Sequence, residues 1–468
     1  MKNLAYDDLA EMPDWQDLLS ELECGPGASL GSKGRNTALE KLFFNPMTTT
    51  SAVLYREYRR FLRQNTAWLA AEMLRVHKCG DDALTVVRGS RLTHVRKNSE
   101  IDRTINVEAS LNMLFQKALA EHFNQVLRAR FRYSKKVQPL RNRRMARRAS
   151  FDGKSATVDL TSASDLNSML MFMYIFPPAV YGAMMDCRSQ RVEIDGEYHH
   201  LHMMSCMGNG FTFPVMTYVF SLMLLAIAEL EGFDPREVSF AREQFGVFGD
   251  DIICPTELYP KVVEILAALG HSPNEAKSFH TGSFRESCGS DCYKGDDVRG
   301  VYAKTLRSRP EMYSLINRLN RWSARWQVPL PTTIALILPK KWRRHLVPID
   351  EMDDAGVKVP YDMYREVHAK ARWLRCIRTR KKVLRLFNRE GQLLPMWASN
   401  LIGVYLLATI GWIDSKGVTR RQVGNLPKRY DEVRLPIPDT TWDRYDVLTS
   451  YNVTIRDWRA YTAINLTD

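Results

Sequence analysis

The chain has 468 residues, 45% of them hydrophobic and ten of them tryptophan, which excludes a disordered protein and supplies a core larger than one simple domain needs. Its formal net charge of +13 and pI near 9.3 point to a polyanionic partner, either nucleic acid or an anionic membrane. The eight cysteines are scattered, at 24, 79, 187, 206, 254, 288, 292 and 376. Only Cys288 and Cys292 are close, at a spacing that fits neither CxxC redox chemistry nor a zinc knuckle, and this usage suits a reducing cytoplasm.

Residues 1–95 read as helical and mixed. The opening MKNLAYDDLAEMPDWQDLL is acidic and amphipathic, without a signal-peptide pattern, and helical periodicity runs from about Ser51 with Thr or Ser as cap. Between 128 and 148, RARFRYSKKVQPLRNRRMARR holds ten Lys/Arg and no acid. A solvated face is the ordinary reading of such a run. Its freedom from acids, together with Phe131 and Tyr133, suits a polyphosphate contact equally well.

From 150 to 305 strand-like and helix-like pieces alternate. KSATVDL predicts a strand ending at Asp159, and SDLNSMLMFMYIF a helix capped by Ser164 or Asp165 and stopped by Pro177-Pro178. No charge falls between Met203 and Ala228, long enough to span a bilayer, but the segment opens in a loop-like CMGNGFTFP and a buried core helix is the better expectation. HHLH (199–202) lacks a cysteine or acid pair at zinc spacing.

FGVFGDDIICP (245–255) then predicts a hairpin with Asp250 and Asp251 at its tip. Alone, the tripeptide is a plain acidic turn; two adjacent like charges also suit a divalent cation that cancels their repulsion. Asp159 becomes a third oxygen ligand if its strand lies beside this hairpin, although alone it reads as a helix cap. YPKVVEILAALG follows as a helix with a Gly stop, and FRESCGSDCYKGDDVRGVY as a strand pair in which Cys288 and Cys292 are packing residues. Beyond 305 the pattern is mainly helical, with two basic, aromatic stretches, NRLNRWSARW (317–326) and ARWLRCIRTRKKVLRLFNR (371–389). LIGVYLLATIGW (401–412) reads as core.

VDLTSASDLN, MGNGFTF, VFGDDIICP, NEAKSF and FRESCG occur in this order. With them the chain resembles the viral RNA-dependent RNA polymerases, and most of all the replicase catalytic subunit of positive-strand RNA bacteriophages, the levivirus-like group. The resemblance covers about Val95 to Tyr302.

It implies an α+β right-hand polymerase. Residues 1–150 would form the fingers, and 151–305 an antiparallel palm with a fingers segment inserted at about 166–202. Residues 306–468 would form a mainly helical thumb. It implies two Mg²⁺ ions, with Mn²⁺ as an alternative, on Asp159, Asp250 and Asp251, and Lys277 as general acid toward the departing pyrophosphate, where an exposed lysine is the plainer reading.

Lys97 and Arg103 match triphosphate-gripping cations, with Glu100 departing from the family pattern and Arg96 as a substitute. Asp165 matches the ribose probe, and Gly208, Asn209 and Thr212 the loop that meets template and nascent pair. Arg141, Arg143 and Arg144 match RNA contacts lining a channel. The implied partners are single-stranded RNA template and product, NTPs, host elongation factors Tu and Ts and other host RNA-binding proteins. The implied setting is the bacterial cytoplasm, without stable membrane insertion. A reverse transcriptase, a non-catalytic basic RNA-binding protein and a membrane-anchored replication factor are the alternatives.

Overall fold

The computed structural model describes residues 1–20, 28–31, 46–97, 101–233, 243–303, 306–379, 430–437 and 453–466. Glu100, Cys24, the end of the 371–389 stretch and the 401–412 run lie outside the described residues. Contacts divide the chain into two units, with a break between Arg299 and Gly300.

The first unit opens with α1 (Lys2–Asp8), α2 (Trp15–Ser20), β1 (Met47–Thr49), α3 (Ala52–Gln64) and α4 (Thr66–Cys79). Ser51 caps α3 as the sequence suggests, its hydroxyl accepting from Leu54 N. Then come β2 (Leu84–Val86), β3 (Ser90–Arg96), β4 (Asp102–Val107), α5 (Ser110–Phe131), α6 (Gln138–Asp152) and β5 (Ser155–Val158). The next elements are α7 (Met169–Ile175), α8 (Pro178–Cys187), β6 (Arg191–Ile194) and β7 (Glu197–His200). Strands β6 and β7 extend the β3–β4 pair into a four-stranded sheet of order β4-β3-β6-β7, so residues 191–200 share a sheet with residues 90–107.

The helix expected from Ser164 onward does not start there. Ser162 takes a left-handed backbone, a 3-10 turn covers Ala163–Leu166, and α7 begins after Ser168, which accepts from Met171 N. Buried Asn167 explains the break: its amide donates to the Ser164 carbonyl and to Ser205 Oγ, diverting that carbonyl from a helical bond.

The uncharged segment forms α9 (Thr212–Leu230), longer at its start than the loop-like CMGNGFTFP suggests. It is apolar and long enough to cross a membrane, yet 78% of its apolar window is buried within the protein. Val215, Tyr218, Val219, Phe220, Leu222, Met223 and Leu224 are fully enclosed. At about 1.5–3 kcal/mol per buried large apolar side chain, this helix anchors the core on which the acidic hairpin rests.

That hairpin is β8 (Gly246–Phe248) and β9 (Asp251–Pro255), followed by α10 (Tyr259–Ala268), β10 (Phe284–Ser287), β11 (Ser290–Tyr293) and the short β12 (Asp296–Asp297). The predicted strand pair is thus a three-stranded sheet. Its CG dipeptide is the turn, with Cys288 at φ +49° and Gly289 at φ +72°, the two positive φ values a tight two-residue hairpin requires.

His271, after α10, is fully buried edge-on to Phe220, and among the described residues neither ring nitrogen finds a hydrogen-bond partner. Burial lowers its pKa to about 4. The neutral ring therefore supports the fold fully above the ordinary histidine range, and that support is lost as pH falls from about 6.5 toward 4, for about 3 kcal/mol if the shift is fully expressed. Urea unfolding at pH 7 and pH 5 should show the loss, and His271→Leu should flatten it.

The second unit contains α11 (Arg309–Trp326), α12 (Pro331–Ile337), α13 (Lys340–Arg343), β13 (Leu346–Val347), β14 (Val357–Lys358), α14 (Tyr361–Val367), β15 (Trp373–Thr379), β16 (Tyr430–Pro436) and α15 (Ile455–Leu466). The helical expectation for 317–326 holds. Residues 373–379 form a strand instead, paired with residues 430–436, and over its first four residues buried Leu374 and Cys376 alternate with exposed Trp373 and Arg375.

Candidate active site

Strand β9 pairs antiparallel with both β8 and β5, in the order β5-β9-β8. Val158 lies opposite Ile252, so one further step along the ladder brings Asp159 beside Asp251. The segment 273–279 bridges the free side of β5. From it Asn274 N donates to the Asp159 carbonyl, Ser278 Oγ accepts from Asp159 N, and Lys277 Nζ lies 3.6 Å from Asp159 Oδ2.

The three acids differ in setting. Asp250 is exposed, and no described residue donates to its carboxylate. Asp251 is half-buried, and its Oδ1 accepts from Cys288 N at 3.0 Å and Ser287 Oγ at 3.2 Å. Its pKa is raised, by burial first and by the Asp250 and Asp159 charges after it. Asp159 is also raised, by burial and then Asp250, against the opposing pull of Lys277 and a smaller one from Lys97. Glu286 of FRESCG is a fourth acid in the same field, lifted by burial and by Asp251, Asp291 and Asp159.

Among the described residues no three His, Cys, Asp or Glu side chains are gathered as a ready cation cage. The donor chemistry nevertheless fits a hard divalent cation: the acids are mutually repelling oxygen donors, and Asp250 is exposed and unpaired.

The turn is shaped to project these acids. Gly249 has φ +65°, and a Cβ there would come 2.6 Å from Phe213 Cε2. Its N–H donates to Thr217 Oγ1 on α9, and Phe213 meets Phe248 edge-on at 4.7 Å.

The GNG loop is held with equal firmness. Gly208 has φ +119°, and a Cβ there would overlap the Asn106 carbonyl oxygen, while Asn106 N donates to the Met207 carbonyl. Asn209 is engaged at both ends: Oδ1 accepts from Cys206 N, and Nδ2 donates to Glu108 Oε1 at 2.7 Å. Thr212 is buried and donates to the Cys206 carbonyl, and Gly210 N donates to Gln116 Oε1. The side chains of Asn209 and Thr212 thus point into the loop's own support. Fully buried Glu108, which also accepts from Ser189 Oγ and N, anchors that support. Nothing in the residues around Glu108 marks it in the sequence, because Ser189 and Asn209, which bind its carboxylate, are 81 and 101 positions away.

Asp165, on the 3-10 turn, accepts from Met207 N at 3.4 Å and so lies beside this loop. Lys97 and Arg103 are exposed on the β3–β4 hairpin, while Arg96 is 4.0 Å from Asp102.

The basic run divides between the end of α5 and α6. Its aromatics are not stacking platforms, since Phe131 and Tyr133 are buried in the core. Several of its cations fasten α6 to neighbouring strands and loops. Arg143 donates to the Cys288 carbonyl, Arg147 to the Gly295 carbonyl and Arg141 to the Arg132 carbonyl, and Arg144 and Arg148 both reach Glu243. Arg143 and Arg144 remain exposed, and the run meets acid from a distant segment that its own sequence lacks.

FRESCG contains the least expected member of the site. Arg285 is fully buried, and its guanidinium donates to the backbone carbonyls of Ser155, His280, Thr281, Gly282 and Phe284. It ties β10 to the start of β5, the strand that leads to Asp159. Lysine cannot reproduce this fork, so Arg285→Lys should destabilise the chain by about 3 kcal/mol in denaturant unfolding.

These features place the chain among RNA replicases. Residues 2–416 match the family described as RNA replicase, beta-chain, and the chain belongs to that family, as the motif resemblance implied. The RNA-directed RNA polymerase beta chain of Escherichia phage MS2 is 32% identical over 340 residues, which is 72% of this chain and 59% of that protein. That of Enterobacteria phage GA is 34% identical over 307 residues, 65% of this chain and 55% of the other. The RNA-directed RNA polymerase subunit beta of Qbeta virus (strain MX1) is 31% identical over 329 residues, 67% and 55% respectively. The chain thus spans a little over half the length of these relatives. Among solved structures, an RNA polymerase complex inside a dsRNA virus covers 81% of this chain and 33% of that one at 10% identity, with a TM-score of 0.34, too low to bear on the fold.

Proposed function

We propose that the chain is an RNA-directed RNA polymerase that extends an RNA 3′-hydroxyl with NTPs on an RNA template. The observation that carries this reading is the β5–β9 register, which sets Asp159 beside the Asp250-Asp251 turn in a member of the replicase family. Asp159, Asp250 and the Asp251 oxygen not bonded to Ser287 and Cys288 would hold Mg²⁺, two ions in the full assembly, with Mn²⁺ as a substitute. Bound there, the metal supplies charge neutralisation for the triphosphate and a more acidic 3′-hydroxyl.

The protein's part is placement and charge. In this reading Lys97 and Arg103 take phosphate oxygens, and Lys277 delivers a proton to the departing pyrophosphate as the 3′-oxygen bonds to the α-phosphorus. Asp165 accepts from the ribose 2′-hydroxyl, and the Gly208–Gly210 backbone lies against the nascent pair. Arg141, Arg143 and Arg144 line the RNA path with their remaining donors.

The fingers would comprise residues 1–150 with the 166–202 insertion, the palm 151–305 and the thumb 306–468. Template and product RNA, NTPs, elongation factors Tu and Ts and other host RNA-binding proteins are the partners of this reading, in the host cytoplasm. Extension of an RNA template with labelled NTPs against dNTPs tests it. Product from NTPs alone supports it, whereas product from dNTPs alone would identify a reverse transcriptase.

A further inference from the structure

The second unit encloses a cavity of about 670 Å³ whose lining is basic and aromatic. Six cations face it, Arg309, Lys341, Arg344, Arg372, Arg375 and Arg434, against one acid, Glu432. Glu432 lies 3.4 Å from Arg309, and among the described residues no carboxylate pairs with the other five.

The β15–β16 ladder makes the excess charge costly. Arg375 and Arg434 are direct cross-strand partners, both exposed, and like charges in that position destabilise a sheet. Two arginines held opposite each other suit an anion between them, as paired acids suit a cation. The aromatic groups narrow the choice of anion. Trp342 already carries Lys341 at 5.3 Å and Arg309 at 6.0 Å over its ring, whereas Trp373, two residues before Arg375 and on the same face of β15, is 58% exposed. An open indole beside paired guanidiniums offers one surface for a base and another for its phosphates. An acidic polypeptide would use the charges and leave the indole idle.

We propose that this cavity is a binding site for single-stranded RNA, in which Trp373 stacks a base and Arg375 and Arg434 hold the adjoining phosphates. The proposal rests on the reading of the chain as an RNA-handling enzyme, but its test does not pass through catalysis.

The test is photo-crosslinking of the full chain at low salt to a thiouridine-substituted single-stranded oligonucleotide, with the crosslinked peptides mapped by mass spectrometry. The expected result is a crosslink in the peptide bearing Trp373, reduced roughly tenfold or more by Trp373→Ala and by Arg375→Glu. Arg375→Glu sets an acid opposite Arg434, so its Tm should hold or rise, which separates lost binding from lost folding. A crosslink unchanged in both variants would overturn the proposal. So would displacement by polyglutamate, or by duplex RNA, as effective as displacement by the single strand. A chain that crosslinks here yet incorporates no nucleotide, even with bacterial extract added, would refute the polymerase reading and leave this site standing.

Discussion

Asp159→Asn and Asp250→Asn should each reduce templated nucleotide incorporation by on the order of 10³-fold, about 4 kcal/mol of transition-state stabilisation, while the chain stays folded. The reasoning starts from charge. Burial, and the acids' influence on one another, hold Asp159 and Asp251 above the usual carboxylate range, so ionising them works against the fold. For an acid whose pKa is raised by folding, stability is highest at low pH and declines as pH rises from its unfolded value through its folded one. Removing the charge of Asp250 eases that decline. In metal-free buffer Asp250→Asn should therefore raise Tm at pH 7, and the gain should shrink as pH falls and the neighbouring acids take up protons. Mn²⁺ binding followed by electron paramagnetic resonance should weaken in the same variant. A loss of activity accompanied by a fall in Tm would mark Asp250 as structural instead.

Gly208→Ala is the second large effect. Its φ of +119° is a conformation that L side chains rarely adopt, and the added Cβ would meet the Asn106 carbonyl oxygen, a backbone atom held by its sheet. Backbone strain and the overlap together should cost about 2–4 kcal/mol in denaturant unfolding. They should also lower incorporation by about 100-fold or more, because the loop carries Asn209 and the contact to Asp165 with it. Gly182→Ala is the matched control. That glycine lies within α8 with nothing near a new Cβ, so the substitution should be neutral or stabilise by up to about 1 kcal/mol and leave incorporation unchanged.

The acidic hairpin, the Asp159 strand and the buried α9 were legible in the sequence because each is written in adjacent residues: a turn glycine, an alternating strand, an uncharged run. What was not legible depends on distance along the chain. Phe131 and Tyr133 look like stacking aromatics amid arginines, but α5 turns them into the core. The same arginines find Glu243 and the carbonyls of Cys288 and Gly295 only after folding. Arg285 reads as one more cation, since a guanidinium satisfied entirely by carbonyls leaves no complementary acid to find. The helix cap lies at Ser168, four residues beyond Ser164 and three beyond Asp165, because the Asn167 amide competes for the carbonyl a helix would use. Strand β15 reads as helical in the sequence because its charged and aromatic residues satisfy either period over so short a stretch.

The measurement that bears most directly on the account is RNA-templated incorporation of labelled NTPs by the purified chain in Mg²⁺, with Asp250→Asn and dNTPs alongside. The account expects product that requires both the RNA template and NTPs, and that disappears in a folded Asp250→Asn chain. No product from a folded, RNA-binding wild-type chain, even after bacterial extract is added, would contradict it and leave a basic RNA-binding protein whose acids are only structural.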